Sequence, residues 1–425
     1  MPVFAVRAHP SRMRGTAPHG PDRQPPQATL DVIRRVRTIE ETLGLALQVS
    51  DLCGITEVTD LTALDDLGVA VVACVRPNSR SDAVTFGKGR SAVEAEVGAR
   101  MEALEFHCAE PGNNCVPVAA FVGLREFSER AQAKVEDFIP LASASHSSGD
   151  GVAVVPARNI ETGQDTLVPA ELVFRPAPPH VPRLFGSSTN GLASGNSLEE
   201  ASAFSLMELI ERDMWSLELA RQRSRWVDPI SLPAESRAVC ERIHERGLGL
   251  SVRSVVNDYG LPFFSCFLYD PGNLVLAAFN GGWGCSFDPE QALMQALMEA
   301  VQGRIGMLYG GRKPRLPAGV RAEDVASTLR EQVRKVEDRS SAIVFSDVLG
   351  EPFAASDQPL DKLLSVLRRS CDAPVHRVAL TDERESLQVT RLVVPGLEHH
   401  RVGRARIGRR LKQALHDAAM ERKGR

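Results

Sequence analysis

The stretch that most constrains this chain is Ser188–Arg212, STNGLASGNSLEEASAFSLMELIER, where a turn rich in Gly, Ser and Asn runs directly into an acidic helix. Small residues let a backbone approach a ligand closely, and carboxylates at helical spacing can share a hard cation. An α-helix turns about 100° per residue. With Glu200 at zero, Glu211 falls near 20°, Glu208 near 80° and Arg212 near 120°. Ala203, Leu206, Met207, Ile210 and Met214 occupy about 240–340°, a core stripe lying beside the acids rather than opposite them. Phe204 and Trp215 fall inside the acidic arc, which a purely solvated face would not contain.

Two further helices repeat this pattern. Over Ser91–Glu110, Val93, Val97, Met101, Leu104 and Cys108 form the core stripe, while Glu94, Glu102 and Glu105 share another with Ala95, Gly98 and Ala109. Over Pro289–Leu308, Gln291, Gln295, Glu299 and Gln302 share one stripe against Leu293, Met294, Leu297, Met298 and Val301. Clustered carboxylates repel unless cations neutralise them. Mg²⁺ takes a few protein oxygens and completes its shell with phosphate and water. Lys88, Arg212 and Arg304 add charge suited to phosphate oxygens. The residues therefore point to a Mg²⁺–nucleotide site. It is not a P-loop, because GxxxxGK[ST] is absent.

Around these helices the pattern predicts a Pro-rich leader over 1–28, a helix over Thr29–Leu47, and strands GITEVTDLT and LGVAVVACV, the second buried on both faces. AVTFGKGR reads as a strand end opening into a glycine turn at Lys88, and GGWGCSFDPE as another turn. Further strands are expected at VPVAAFV, VAVVPA, SVRSVV, PFFSCFLYD, LVLAAFN, AIVFSD, VHRVAL and LQVTRLVVP, with helices over Glu235–Arg246, 322–336 and 358–370. A basic tail runs over 401–425. The irregular alternation of strand and helix predicts an α+β (mixed α/β) fold with sheets covered by helices, in a main domain spanning 29–400.

Eight dispersed cysteines without a CxxC pair read as free thiols in a reducing cytosol, with Cys108 and Cys115 the closest pair. The net charge of −4 is mixed along the chain, so nothing apart from a weakly basic tail argues for a nucleic-acid or membrane surface, and no apolar run is long enough to span a membrane.

SxxExxER at Ser205–Arg212 after STNGLASGN, ExxE at Glu102–Glu105 after GKG, ExxQ at Glu299–Gln302 and RLVVPGLE at 391–398 together resemble the YcaO family. The resemblance implies an ATP- and Mg²⁺-dependent enzyme that activates a peptide backbone amide by O-phosphorylation. By the same resemblance, Lys88, Glu102, Glu105, Asn196, Glu200, Glu208, Glu211, Arg212, Glu299, Gln302 and Arg391 would bind nucleotide. Glu105, Glu200, Glu208 and Glu211 would hold the metal. Gln295 departs from the family pattern, which has Ser there. The chain ends without the PxPxP of many azoline-forming members, and GITEVTDLTALDDLGVAVVACVRP resembles members paired with a TfuA protein. The expectation is therefore thioamide installation in a ribosomally made precursor peptide, with a TfuA-like sulfur-delivery partner and a homodimeric state. An azoline- or amidine-forming cyclodehydratase is the alternative, and a non-catalytic peptide-binding partner the second.

Overall fold

In β2 (Ala70–Val75) every residue but the last is buried, as its unbroken apolar run predicts. It is the middle strand of an antiparallel sheet with β1 (Glu57–Asp60) and β3 (Val84–Gly89). Ala70, Val72 and Cys74 pack on one face against Ala95 and Ala99 of α2 (Ala92–Ala109). Val71, Ala73 and Phe86 face a different core, built around α7 (Pro289–Tyr309). In this computed structural model the described residues are 35–423, apart from 118–119, 143–150, 180, 182, 274, 276–277, 311–321, 355 and 400–405.

The other face of α7 lies on a second antiparallel sheet, ordered β11-β10-β9-β8, with β8 at Arg225–Trp226, β9 at Gly249–Ser254, β10 at Phe263–Tyr269 and β11 at Phe279–Cys285. Helix α6 (Ala234–Glu245) joins the same core. The largest sheet runs β4-β5-β12-β13-β7, with β6 paired to β5. Its strands are β4 (Ala120–Gly123), β5 (Gly151–Asn159), β6 (Asp165–Pro169), β7 (Leu192–Gly195), β12 (His376–Ala379) and β13 (Gln388–Val393). The remaining helices are α1 (Ile39–Gln48), α3 (Leu124–Ala131), α4 (Ala170–Val173), α5 (Leu198–Arg221), α8 (Ala322–Val336), α9 (Pro359–Leu367) and α10 (Arg409–Lys423). Through Leu206, Leu209, Ile210 and Met214, α5 packs against Val375, Leu392 and Val394 beside the largest sheet, and against Phe263 and Phe287 near the second. The architecture is mixed α/β, as expected.

The sequence reading is corrected at the glycines. The stretch around Lys88 is strand, with Lys88 paired to Val71, and the expected turn at 281–285 is β11. These strands carry glycine because a helix lies almost on the backbone. A Cβ on Gly87 would meet Ala95 O at 1.8 Å, and one on Gly282 would meet Ala296 O at 2.2 Å. AIVFSD is not a strand: Ile343 makes a single bridge to Val227, and Phe345–Asp347 is a 3₁₀ turn. The first helix starts at Ile39 after a Thr38–Glu41 capping box, later than expected. The leader over 1–28 and the start of that predicted helix lie outside the described residues. From Arg409 to Lys423 the expected tail is helix, with Leu411 and Ala414 packed on Leu217 and Ala220 of α5. All eight cysteines are free, six of them buried. No described helix is long and apolar enough to cross a membrane.

Candidate functional site

Strands β3, β7 and β11 are each the last strand of their sheet, so each has backbone groups that no further strand satisfies. The acidic helices supply the partners. Glu102 accepts from Phe86 N (2.7 Å), Glu299 from Trp283 N (2.9 Å), and Glu105 from both Ser194 N (2.9 Å) and Ser194 Oγ (2.7 Å). Glu208 accepts from Gly191 N (3.0 Å), just before β7. Gln302 is buried and donates to Phe86 O (2.7 Å), tying α7 to β3. The three helices start alike, with Ser91, Ser197 and Asp288 each accepting from the backbone three residues on. The carboxylates thus face one another across three converging sheet edges.

Their charges interact. Burial pushes Glu105 up to about 8, hydrogen bonds from Ser194 oppose this, and Glu102 and Glu208 add to it. Burial pushes Glu211 up to about 7, with Arg212 and Lys88 opposing and Glu299 and Glu208 reinforcing. Glu208 is raised by burial as well, against Arg212 and the Gly191 amide. Burial alone would lower Arg212, but Glu211, Glu299 and Glu208 hold it above its usual value. Its guanidinium sits 3.7 Å from Glu208 and 3.9 Å from Glu211, and lies over the Trp215 ring at 5.9 Å. Lys88 makes no ion pair among the described residues, although it is close enough to act on Glu211.

Glu200, in the first turn of α5, and Asn196, just before that helix, stand apart from Glu208 and Glu211. Glu200 is about 12 Å along the helix axis from Glu208. Asn196 Nδ2 donates to Glu200 Oε1 (3.1 Å), and Val36 N to Glu200 Oε2 (2.9 Å). Thr42 Oγ1 donates to Asn196 Oδ1 (3.1 Å), so the chain entering α1 lies directly on this pair. Arg391 is fully buried and donates to the carbonyls of Val173, Asn190 and Ser188, which shapes the loop before β7. Arg304, expected near phosphate, instead pairs with Asp65. Sequence reasoning missed Ser194, because LASG read as turn. It also gave no place to Trp283, whose ring lies 4.7 Å from Trp215.

Among the described residues no three side chains enclose a bare metal ion. The donor set nevertheless fits Mg²⁺–ATP. Its carboxylates are hard oxygen donors whose charge is poorly neutralised, and Mg²⁺ bound with a nucleotide needs only one or two of them. Arg212 Nε is buried with no hydrogen-bond partner among the described residues, a donor suited to a phosphate oxygen. One or two of Glu208, Glu211, Glu105 and Glu299 would hold the metal, and Arg212 and Lys88 would meet phosphate.

This fold and site define a protein that binds a nucleotide through Mg²⁺. A family model described as YcaO cyclodehydratase, ATP- and Mg²⁺-binding, matches residues 86–398, and the chain belongs to the YcaO family. An uncharacterized protein of Methanothermobacter thermautotrophicus is 30% identical over 389 residues, 88% of this chain and 98% of the relative. A Rhizobium leguminosarum bv. trifolii protein, described as uncharacterized and in the tfuA 3′ region, is 30% identical over 367 residues, 81% of this chain and 84% of the relative. The structure of YcaO from Methanopyrus kandleri bound with AMPPCP and Mg²⁺ superposes with a TM-score of 0.67 at 22% identity, covering 86% of this chain and 92% of that one.

Proposed function

We propose that this protein installs a thioamide in a ribosomally made peptide, using ATP and Mg²⁺ to activate a backbone amide. The activation half of this reading rests on the Arg212 guanidinium held among Glu208, Glu211 and Glu299, with Nε buried and making no hydrogen bond among the described residues. An amide oxygen is a poor leaving group and a phosphate a good one. Mg²⁺–ATP, when bound, supplies the phosphoryl group and neutralises charge on it. Arg212 and Lys88 would orient phosphate oxygens, and carboxylates of α5 and α7 would hold the metal. Sulfide adds to the amide carbon, the amide oxygen takes the γ-phosphoryl group, and loss of phosphate leaves C=S. The balance is peptide amide, ATP and hydrosulfide giving peptide thioamide, ADP and phosphate.

Sulfur as the nucleophile is favoured by the relative described by its place beside tfuA, which supports a TfuA-like delivery partner. The family model's description as a cyclodehydratase favours the second reading, closure of a peptide side chain onto the same activated amide. Mass spectrometry of a candidate peptide after incubation with ATP, Mg²⁺ and a sulfide source separates the two. A gain of about 16 Da is sulfur for oxygen, and a loss of about 18 Da is dehydration. Dehydration alone would overturn the thioamide reading. An unmodified peptide with no peptide-dependent ATP turnover, from a protein that binds ATP, would favour a non-catalytic peptide-binding partner.

A further inference from the structure

One residue beyond Arg212, Asp213 is fully buried on the side of α5 turned away from Glu211. Its Oδ2 accepts from Tyr259 Oη (2.8 Å) and Arg410 Nη1 (2.7 Å), and its Oδ1 from Glu398 N (2.8 Å). Arg410 Nη1 also donates to Tyr259 Oη (3.0 Å), and Nη2 to Ser370 Oγ (2.7 Å). The Glu398 carboxylate accepts from Gly408 N (2.8 Å) and Leu411 N (2.9 Å), so it caps the start of α10. A closed circuit results. Asp213 holds the Glu398 backbone, the Glu398 side chain holds the start of α10, and α10 returns Arg410 to Asp213. The family match ends at Glu398, so Arg410 lies beyond it.

A buried carboxylate keeps its place only when its partners stay in place. Asp213 shares a helical turn with Glu211 and Arg212, so a shift of its backbone moves both. We infer that Arg410 is a positioning residue for the nucleotide site, fixing through Asp213 the turn of α5 that carries Glu208, Glu211 and Arg212. This rests on assigning those three residues to Mg²⁺–ATP.

The test measures Mg²⁺–ATP affinity and thermal stability of full-length Arg410→Met, Arg410→Lys, Tyr259→Phe, Ala414→Gly and Arg212→Ala. Arg410→Met is expected to raise the Kd for Mg²⁺–ATP roughly 3- to 30-fold, the range of coupling carried by a packed network. Arg410→Lys keeps the charge and restores most of the affinity. Ala414→Gly weakens α10 outside the hydrogen-bonded circuit, so it lowers Tm and leaves Kd unchanged. If Arg410→Met lowers Tm but binds Mg²⁺–ATP as the wild type does, Arg410 is structural and the inference is overturned. Should Arg410→Met fail to fold, Tyr259→Phe carries the test: a raised Kd supports the inference and a wild-type value overturns it. Wild-type affinity in Arg212→Ala would instead overturn the assignment of the site itself.

Discussion

In the proposed nucleotide site, Arg212 is the cation set among the acids Glu208, Glu211 and Glu299. Glu208 and Glu211 pair with it at 3.7 and 3.9 Å without closing a short hydrogen bond, and Nε makes no hydrogen bond among the described residues. A hydrogen bond to a charged group contributes about 1.5–3 kcal/mol. Arg212→Ala should therefore raise the Kd for Mg²⁺–ATP by about 10- to 150-fold, and calorimetric titration would show it. Arg212→Lys should recover little, because an ammonium lacks the planar fork. A second prediction concerns pH. Burial lowers His376 from its ordinary 6.5 to about 4, where Thr166 Oγ1 lies 3.0 Å from Nδ1 and the ring stacks on Phe138. The fold holds the neutral imidazole, whereas the unfolded chain takes up a proton below about 6.5. The stability this contributes is present above pH 6.5 and is lost as pH falls toward 4, with a limiting slope of about 1.4 kcal/mol per pH unit. Urea unfolding at pH 7 and pH 4.5 should show a smaller pH-dependent loss in His376→Gln than in the wild type. Equal losses would mean that His376 does not carry the linkage.

At the scale of elements, the glycines of β3 and β11 set how closely α2 and α7 approach their sheets. Gly282→Ala places a methyl group 2.2 Å from Ala296 O and 2.3 Å from Ala300 N, so α7 must move. Overpacking of this kind costs about 1–3 kcal/mol, and a lowered urea midpoint would measure it. Because α7 also carries Glu299, weaker Mg²⁺–ATP binding should accompany the loss of stability. Those glycines also mark where the sequence was misread. A strand rich in Gly has no side-chain alternation, so it resembles a turn until the helix packed on it is known. The acidic faces of α2, α5 and α7 were legible because helical spacing fixes which residues share a face. Their common purpose of capping sheet edges was not, since Glu102 meets Phe86 and Glu105 meets Ser194 only after folding. Glu200 shows the limit of angular reasoning: its face matches that of Glu211, but three turns of helix separate them and the chain before α1 lies on it. The aromatic residues in the acidic arc give another observable. Two of the three tryptophans, Trp215 and Trp283, adjoin Arg212 and Glu299. Intrinsic fluorescence should change on adding Mg²⁺–ATP, and Trp215→Phe should remove most of the change.

At the scale of the whole molecule, the site lies where three sheets bring their open edges together. Glu105 reaches from α2 to β7, Gln302 from α7 to β3, and Glu211 on α5 interacts with Glu299 on α7. Burial is the main cause of the raised Glu105 and Glu211, and the neighbouring carboxylates add to it, so charge at this junction is costly to hold without a cation. A ligand that bridges the acids should therefore stabilise the three sheets as a unit. Mg²⁺–ATP at 100 times its Kd should add about 2.7 kcal/mol to the unfolding free energy, read as a rise in Tm of one cooperative transition. Without Mg²⁺ the triphosphate adds negative charge to a negative junction, so ATP with EDTA should give little or no rise. Equal stabilisation by ATP with and without Mg²⁺ would show that the carboxylates do not hold a metal. A rise confined to one of two separable transitions would show that the nucleotide does not bridge the junction of the sheets.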